Sequence, residues 1–560
     1  MSEAQAQRRV LVIGLDGATY RVIDPLLAQG ELPVLGRLLR EGVRGVLRST
    51  LPPNSAPAWS SFLTGVNPAR HRILDFREMD LRRYEMFTGH FINATALAGR
   101  TILDWIGARS RGVVAFRVPM TYPVWPVNGI LVAGYPTPDR KRAYTYPPAL
   151  AQTLSPIALH SHDEIAAAGI PEERRNADYE IDLLLRHMKR WLQDDRHDFY
   201  MAVTGITDGF HHKFWKYHDP QHPLHDPTWP EEDKHIIREY YRRLDAAIGE
   251  LLQLVDSRWL VVVMSDHGGG PRPWRQFHPN AWLAEQGWLV PRGGGRVSAR
   301  QRVMRLALEW ARNRVPWRQW LVEHVPLRWR QQALRWRHAT HLIDWSRTRA
   351  YHVPLQFPAG GIEINLRGRQ PMGTVSPGAA YEHLRDDIIA ALKEVRDPET
   401  GHPVVTAVWR REEVYPRGDM EAVPDILFLT VEDVDCGSGL ESVFSTVPLS
   451  FLERLNGEHT MEGIAIFWGE GVRAGATISL DILDLPATLV WAMGLPLPAD
   501  MDGRVLTEAF TPEHVASHPV VQSDEPLWQD TPFSELTAEE EAAIRQALIG
   551  LGYLEDEGQR

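Results

Sequence analysis

Short unbroken apolar runs recur along the chain. Several end in glycine or an acidic residue, and most are followed by a longer stretch with apolar positions three and four apart. Val10–Leu15 (VLVIGL) is the first such run, closed by Asp16-Gly17. An uninterrupted run of this length suits a strand buried on both faces of a parallel sheet. The pattern then predicts a helix over about 23–41, with LPVLGRLLRE on its periodic face and Gly42 as its stop. A return strand over Val43–Arg48 follows. Further helix–strand pairs are expected at 101–108 with 112–118, at 177–194 with 199–206, and at 231–255 with 259–265. After Thr348 the runs TRAYHV, GIEINLRGR, TAVWRREEVY, PDILFLTV and IAIFWG read as more strands of a resumed core. Helices are expected near 382–395 and in DILDLPATLVWAMG. Alternation of this kind predicts an α/β fold, a doubly wound, mostly parallel sheet with helices on both faces.

Four stretches break the rhythm. Residues 75–98 show no period and are expected to be a surface excursion. Residues 121–148, rich in proline and tyrosine, are expected to be loops over the carboxyl ends of the strands, where α/β folds bind ligands. Residues 298–345 contain ten arginines, two glutamates and five tryptophans between Arg300 and Arg337. Val303, Leu306 and Trp310 share one helical face there, with Arg302, Arg305, Glu309 and Arg312 opposite. This is expected to be a helical Arg/Trp-rich cap insertion, and its arginines could meet an anionic lipid or membrane surface. Past Phe510 the chain turns polar, then closes with a helix capped by Ser534 or Thr537 and stopped at Gly552. The expected organisation is 1–297 and 346–512 as two parts of one catalytic core, 298–345 as the cap, and 513–560 as linker and terminal helix.

At 560 residues and 44% hydrophobic, the chain can bury a large core. A net charge of −11 argues against general nucleic-acid binding. The single cysteine, Cys436, forms no internal disulfide and fits a reducing compartment. With no apolar run of signal-peptide or membrane-span length, a cytoplasmic location is expected.

Candidate chemistry gathers at the strand ends. Asp16 closes the first run; Asp208 and His212 follow the fourth, four residues apart and on one face if helical. Asp266-His267 closes WLVVVMS before three glycines that would permit a sharp turn. His459 precedes IAIFWG. In LPPNSAPAWSSFLTGVNPARH, Asn54-Ser55 reads as a cap, which puts the Ser55 hydroxyl at a helix N-terminus. The positive dipole end there favours an alkoxide or a phosphate. Three carboxylates, three imidazoles and Ser55 suffice to hold two zinc-like ions with open positions. His211 and His278 lie near these motifs. The first is expected in a supporting or surface position, the second in a structural one.

The ordered set LDG, NSAPAW…TGVNPARH, TDGFHH, SDHGG and GEHTMEG resembles the alkaline phosphatase superfamily, and within it the type I phosphodiesterase/nucleotide pyrophosphatase family. The resemblance implies two zinc ions and a serine nucleophile. Asp208, His212 and His459 would bind one ion; Asp16, Asp266, His267 and Ser55 would bind the other. Manganese is an admissible substitute. The implied activity is metal-dependent hydrolysis of phosphate esters, most naturally diesters, through a phosphoserine. One departure is Ala58, where those enzymes carry an asparagine that helps hold the phosphoryl group. Two alternatives stand beside hydrolysis: transfer of the phosphoryl or headgroup to another acceptor, and a low-turnover binding or regulatory role. No G-x-S-x-G elbow, Walker loop or H-E-x-x-H is present, and Ser55-Ala-Pro-Ala lacks the arginine of a sulfatase motif.

Overall fold

The structure, a computed structural model, describes residues 8–138, 144–154, 169–292, 339–528, 536–551 and 554. Nearly all of the expected Arg/Trp cap therefore lies outside the described residues. Its last few residues include Trp345, which stacks on Tyr84 with centroids 3.7 Å apart.

Nine strands form the central sheet, in the order Ala476–Asp481, Val43–Arg48, Glu462–Trp468, Leu260–Met264, Val10–Leu15, Phe199–Thr204, Val113–Val118, Gly129–Ala133, Thr145–Tyr146. Neighbours run parallel except at Glu462–Trp468, which is antiparallel to both of its partners, and at the short end strand Thr145–Tyr146. Alternate residues of the inner strands feed two separate cores. Val10, Val12, Met201 and Val262 pack with the helices Ser55–Thr64, Ile102–Arg109 and Asp484–Ala492. Leu11, Ile13, Ala202 and Val263 pack with Tyr20–Ala28, Pro33–Glu41, Ile170–Asp194, Ile206–His218 and Ile236–Leu252. Burial on both faces is the physical reason for the unbroken apolar runs, and the sheet is doubly wound as expected. Ile544 and Leu548 of the terminal helix Ala538–Leu551 are buried in the first of these cores.

Several expectations need correction. The single helix over 23–41 is two helices, broken at Gly30 (φ +72°) and restarted by Pro33 in the first turn. The helix over 231–255 is likewise interrupted, at His235. Residues 75–98 are no surface excursion: Arg77–Met79 and Phe87–Phe91 pair as a hairpin, and Phe76, Phe91 and Ile92 enter the core. Strands this short are too brief to show a period. Residues 121–148 are not all loop, because Gly129–Ala133 joins the central sheet between the prolines.

The strands after Thr348 exist, but those up to Thr430 do not extend the central sheet. Ala350–Pro354, Ala359–Ile364, Ile426–Thr430 and Val405–Arg410 form an antiparallel sheet of their own. The helix Ala379–Lys393 covers it through Leu384, Ile388 and Leu392.

Candidate metal centre

Three adjacent parallel strands, Leu260–Met264, Val10–Leu15 and Phe199–Thr204, end at one edge of the sheet. Asp16 leaves the middle strand there, and Asp266-His267 leaves one neighbour. The other neighbour runs into the helix Ile206–His218, whose first turn carries Asp208 and whose second carries His212. Val43–Arg48 delivers the chain to Ser55 at the same edge. Because Glu462–Trp468 is antiparallel, its entry lies at this edge too, and His459 precedes it. A two-stranded ladder, Gly268–Pro271 with Gly457–Thr460, sets Gly269 opposite His459. All seven side chains meet here, and all are buried.

The glycines after His267 do not make a turn. They form the ladder and leave room: a Cβ on Gly269 would stand 2.3 Å from His211 Nδ1, and one on Gly268 2.0 Å from a backbone oxygen. Ser55 is not the cap either. Asn54 is, its side chain accepting from Ala56 N–H at 2.9 Å, and Ser55 is the first helical residue. The Ser55 hydroxyl lies 3.1 Å from His267 Nε2 and 3.3 Å from Asp16 Oδ1.

Asp16, Asp266 and His267 offer ligand atoms within 4.8 Å of one another. Asp208 Oδ1 is 3.3 Å from His212 Nε2 and 3.4 Å from His459 Nε2, and the two imidazole nitrogens are 3.0 Å apart. His267 bridges the two groups, its ring stacked on His459 with centroids 3.8 Å apart.

The tautomers show what the centre suits. His212 Nδ1 lies 3.0 Å from Gly457 O, His459 Nδ1 2.8 Å from Pro53 O, and His267 Nδ1 3.0 Å from Gly268 O. A carbonyl only accepts, so each Nδ1 carries a proton and each Nε2 faces the site, free to offer its lone pair once a cation displaces any proton there. Three such nitrogens facing three carboxylates form a donor set for cations, and the residues fit divalent metal ions.

Charge points the same way. Burial, and then the neighbouring Asp266 and Asp208, hold the Asp16 carboxyl well above the usual carboxylate range. Burial and Asp208 push Asp266 up to about 7. Burial works upward on Asp208 as well, but charge and hydrogen bonds from His212 and His459 overcome it and hold that carboxyl low. Burial works downward on His212, but Asp208 overcomes it and raises His212, so the cation-free site keeps a proton between them. Burial and the nearby His267 lower His459.

Sequence reasoning missed the groups that aim Asp16. Trp59 Nε1 donates to its Oδ2 at 2.8 Å and Tyr135 OH donates to the same oxygen at 2.6 Å, which leaves Oδ1 toward Ser55. Trp59 stands one helical turn after Ser55, a spacing that signals a shared face. Nothing marks Tyr135, which arrives from a loop beyond a different strand. His211 is buried, with Nε2 3.2 Å from Tyr241 OH, so its supporting position is as expected and the surface alternative is excluded. His278 is structural, bonded to Ser445 Oγ and Gly439 N–H.

Residues 10–439 match the family model described as type I phosphodiesterase / nucleotide pyrophosphatase. The chain belongs to this family. The matched span holds six of the seven candidate residues and ends before His459. No curated protein sequence matches the chain significantly. Among solved structures, it is similar to murine ectonucleotide pyrophosphatase/phosphodiesterase 5, inactive and in complex with AMP. The two are 13% identical with a TM-score of 0.47, covering 90% of this chain and 100% of that one. It is also similar to phosphonoacetate hydrolase from Sinorhizobium meliloti 1021 in complex with phosphonoacetate. Here identity is 15% and the TM-score 0.46, covering 87% of this chain and 96% of that one.

Proposed function

We propose that the chain is a two-metal phosphohydrolase acting on phosphate esters, most directly diesters, with Ser55 as nucleophile. The observation that carries this reading is the convergence of Ser55 with two His/Asp groups at one sheet edge. Two divalent cations held there, Zn2+ or Mn2+, would supply Lewis acidity and neutralise charge on phosphoryl oxygens. Asp208, His212 and His459 would hold one; Asp16, Asp266, His267 and Ser55 the other.

The chain's own contribution is placement. Asn54 caps the helix, so the Ser55 hydroxyl is not spent on capping and sits at the positive end of the helix, which favours negative charge. Trp59 and Tyr135 fix Asp16 so that one oxygen faces Ser55. Ser55 Oγ would attack phosphorus and displace one alcohol of the diester, its proton leaving with that alcohol. The phosphoserine formed would still carry the second ester group, and water would then release the phosphate monoester and restore the hydroxyl.

The test is Ser55→Ala, assayed on bis-p-nitrophenyl phosphate with metal content measured alongside. The expected result is a loss of turnover by several orders of magnitude with most of the metal retained, because six ligands remain. Near-normal turnover in Ser55→Ala would remove the serine from the mechanism.

A further inference from the structure

The strand Gly457–Thr460 brings two consecutive side chains to the same end of the centre. One is His459. The other, Glu458, is buried, and its carboxylate forms with the His212 and His459 imidazoles a group whose ligand atoms all lie within 4.8 Å. Neighbours on a strand ordinarily face opposite ways. Glu458 stays close to His459 because its Oε1 folds back to accept from His459 N–H at 3.1 Å and takes Gln356 Nε2 at 2.6 Å. The other oxygen, Oε2, pairs with Arg272, which leaves the end of the opposite ladder strand. That arginine is itself held beside the centre, its guanidinium 5.0 Å over the Phe451 ring. A carboxylate accepts in about four directions, and three are in use here.

We propose that Glu458 is an eighth residue of the centre, a carboxylate ligand to the cation held by Asp208, His212 and His459, with Arg272 as its partner until that cation binds. The proposal rests on the metal-centre reading above. It makes this half of the centre two carboxylates and two imidazoles, a harder donor set than the three groups alone, and one better suited to Mn2+.

The test titrates the metal-stripped full chain with Mn2+ and with Zn2+ by calorimetry, alongside Glu458→Gln, Arg272→Met, the double variant and Asp208→Asn. Wild type and Asp208→Asn calibrate the metal-centre reading: two binding events in the first, and loss of one in the second. If wild type binds no cation, that reading fails and Glu458 falls with it. If it binds two, Glu458→Gln should weaken one event by about tenfold or more, and Mn2+ more than Zn2+. Arg272→Met should keep or tighten that event, because it frees the carboxylate, and the double variant should behave like Glu458→Gln. Wild-type binding in Glu458→Gln overturns the proposal. So does equal weakening in Glu458→Gln and Arg272→Met, which would mark the pair as a structural ion pair and nothing more.

Discussion

Among the described residues, two clusters of buried acids are solved in opposite ways. In the antiparallel sheet, Glu363 and Asp425 are buried side by side. Arg369 reaches both, Arg411 pairs with Asp425 at 3.0 Å, and Tyr381 OH donates to it at 2.6 Å. Gln370 and two backbone N–H groups take further lone pairs. Two carboxylates meet two guanidinium groups, so the charge closes inside the chain. At the edge of the central sheet, Asp16, Asp208 and Asp266 meet imidazoles whose Nδ1 protons point away, and Asp266 Oδ2 is buried with no hydrogen-bond donor among the described residues. Burying a charge is tolerated only when it is paired. The first cluster carries its counter-charge in the sequence; the second is built to take it from solution. The same side-chain type is structural in one place and receptive in the other, and the difference lies in what faces it.

The largest effect should come from breaking the closed cluster. Arg369→Met leaves Glu363 and Asp425 with too little positive charge, a change that costs about 3–5 kcal/mol in buried pairs. Chemical denaturation should show that loss, while cation binding per folded molecule stays at the wild-type level. A variant of normal stability would mean the network is not closed by this arginine.

The open cluster should respond with the other sign. Asp266 is raised to about 7 from the ordinary carboxyl range by burial and Asp208. In the cation-free protein its folded state therefore holds a proton that the unfolded chain releases. Between about pH 4 and 7 this favours folding at the acid end and is lost as pH rises through 7. Asp266→Asn should stabilise the metal-stripped protein at pH 8 by about 2–4 kcal/mol, since a tenfold difference in proton affinity between folded and unfolded chains is worth about 1.4 kcal/mol. It should also cancel much of the rise in melting temperature that Zn2+ gives the wild type. Destabilisation of the stripped protein by Asp266→Asn would contradict an unmet charge at this position.

A buried histidine outside both clusters supplies the opposite pH slope and so separates the two contributions. His71 accepts from Ile73 N–H at Nδ1, so its Nε2 proton serves Ser61 Oγ at 2.9 Å. Burial, with Arg70 beside it, pushes its pKa down to about 3. The folded state refuses a proton that the unfolded chain accepts below about 6.5, so stability is full above that pH and falls as acid is added toward 3. The slope is about 1.4 kcal/mol per pH unit for one group. His71→Gln should flatten the loss between about pH 6.5 and 4.5 with or without metal, by about 2 kcal/mol over that span. An unchanged acid limb would assign the loss elsewhere.

The contrast between the clusters is only half legible in the sequence. Six of the seven residues of the open cluster follow apolar runs, and a parallel sheet puts the ends of such runs along one edge, so their convergence can be read from order. His459 needs more, because it precedes its strand; it joins the others only because that strand runs backward. The separate sheet that holds Glu363 and Asp425 is not legible, since its strands have the same apolar character as those of the core and pairing is not written in local pattern. The glycines after His267 suggest a turn, but what they supply is space for His211. Tyr135 has no signal at all, because a loop side chain reaching across neighbouring strands leaves no periodicity.

That unsignalled tyrosine offers the finest test of the open cluster. Tyr135 and Trp59 both donate to Asp16 Oδ2, and these bonds turn Oδ1 toward Ser55 and His267, 3.3 and 3.6 Å away. Groups that orient a ligand in this way typically change metal affinity by about 10–100-fold when removed. Tyr135→Phe keeps the ring and one of the two donors, so the effect should fall near the lower end, about tenfold, or about 1.4 kcal/mol. The weakening should confine itself to the cation of Asp16, Asp266 and His267, leaving the cation of Asp208 and His212 unchanged in a two-event titration. Turnover of a diester should fall at limiting metal and recover when metal is raised, because the phenol orients the carboxylate and takes no part in bond breaking. If turnover stays low at saturating metal, Tyr135 acts on the substrate itself. If neither affinity nor turnover moves, Trp59 alone holds Asp16, and the open cluster is stiffer than its hydrogen bonds suggest.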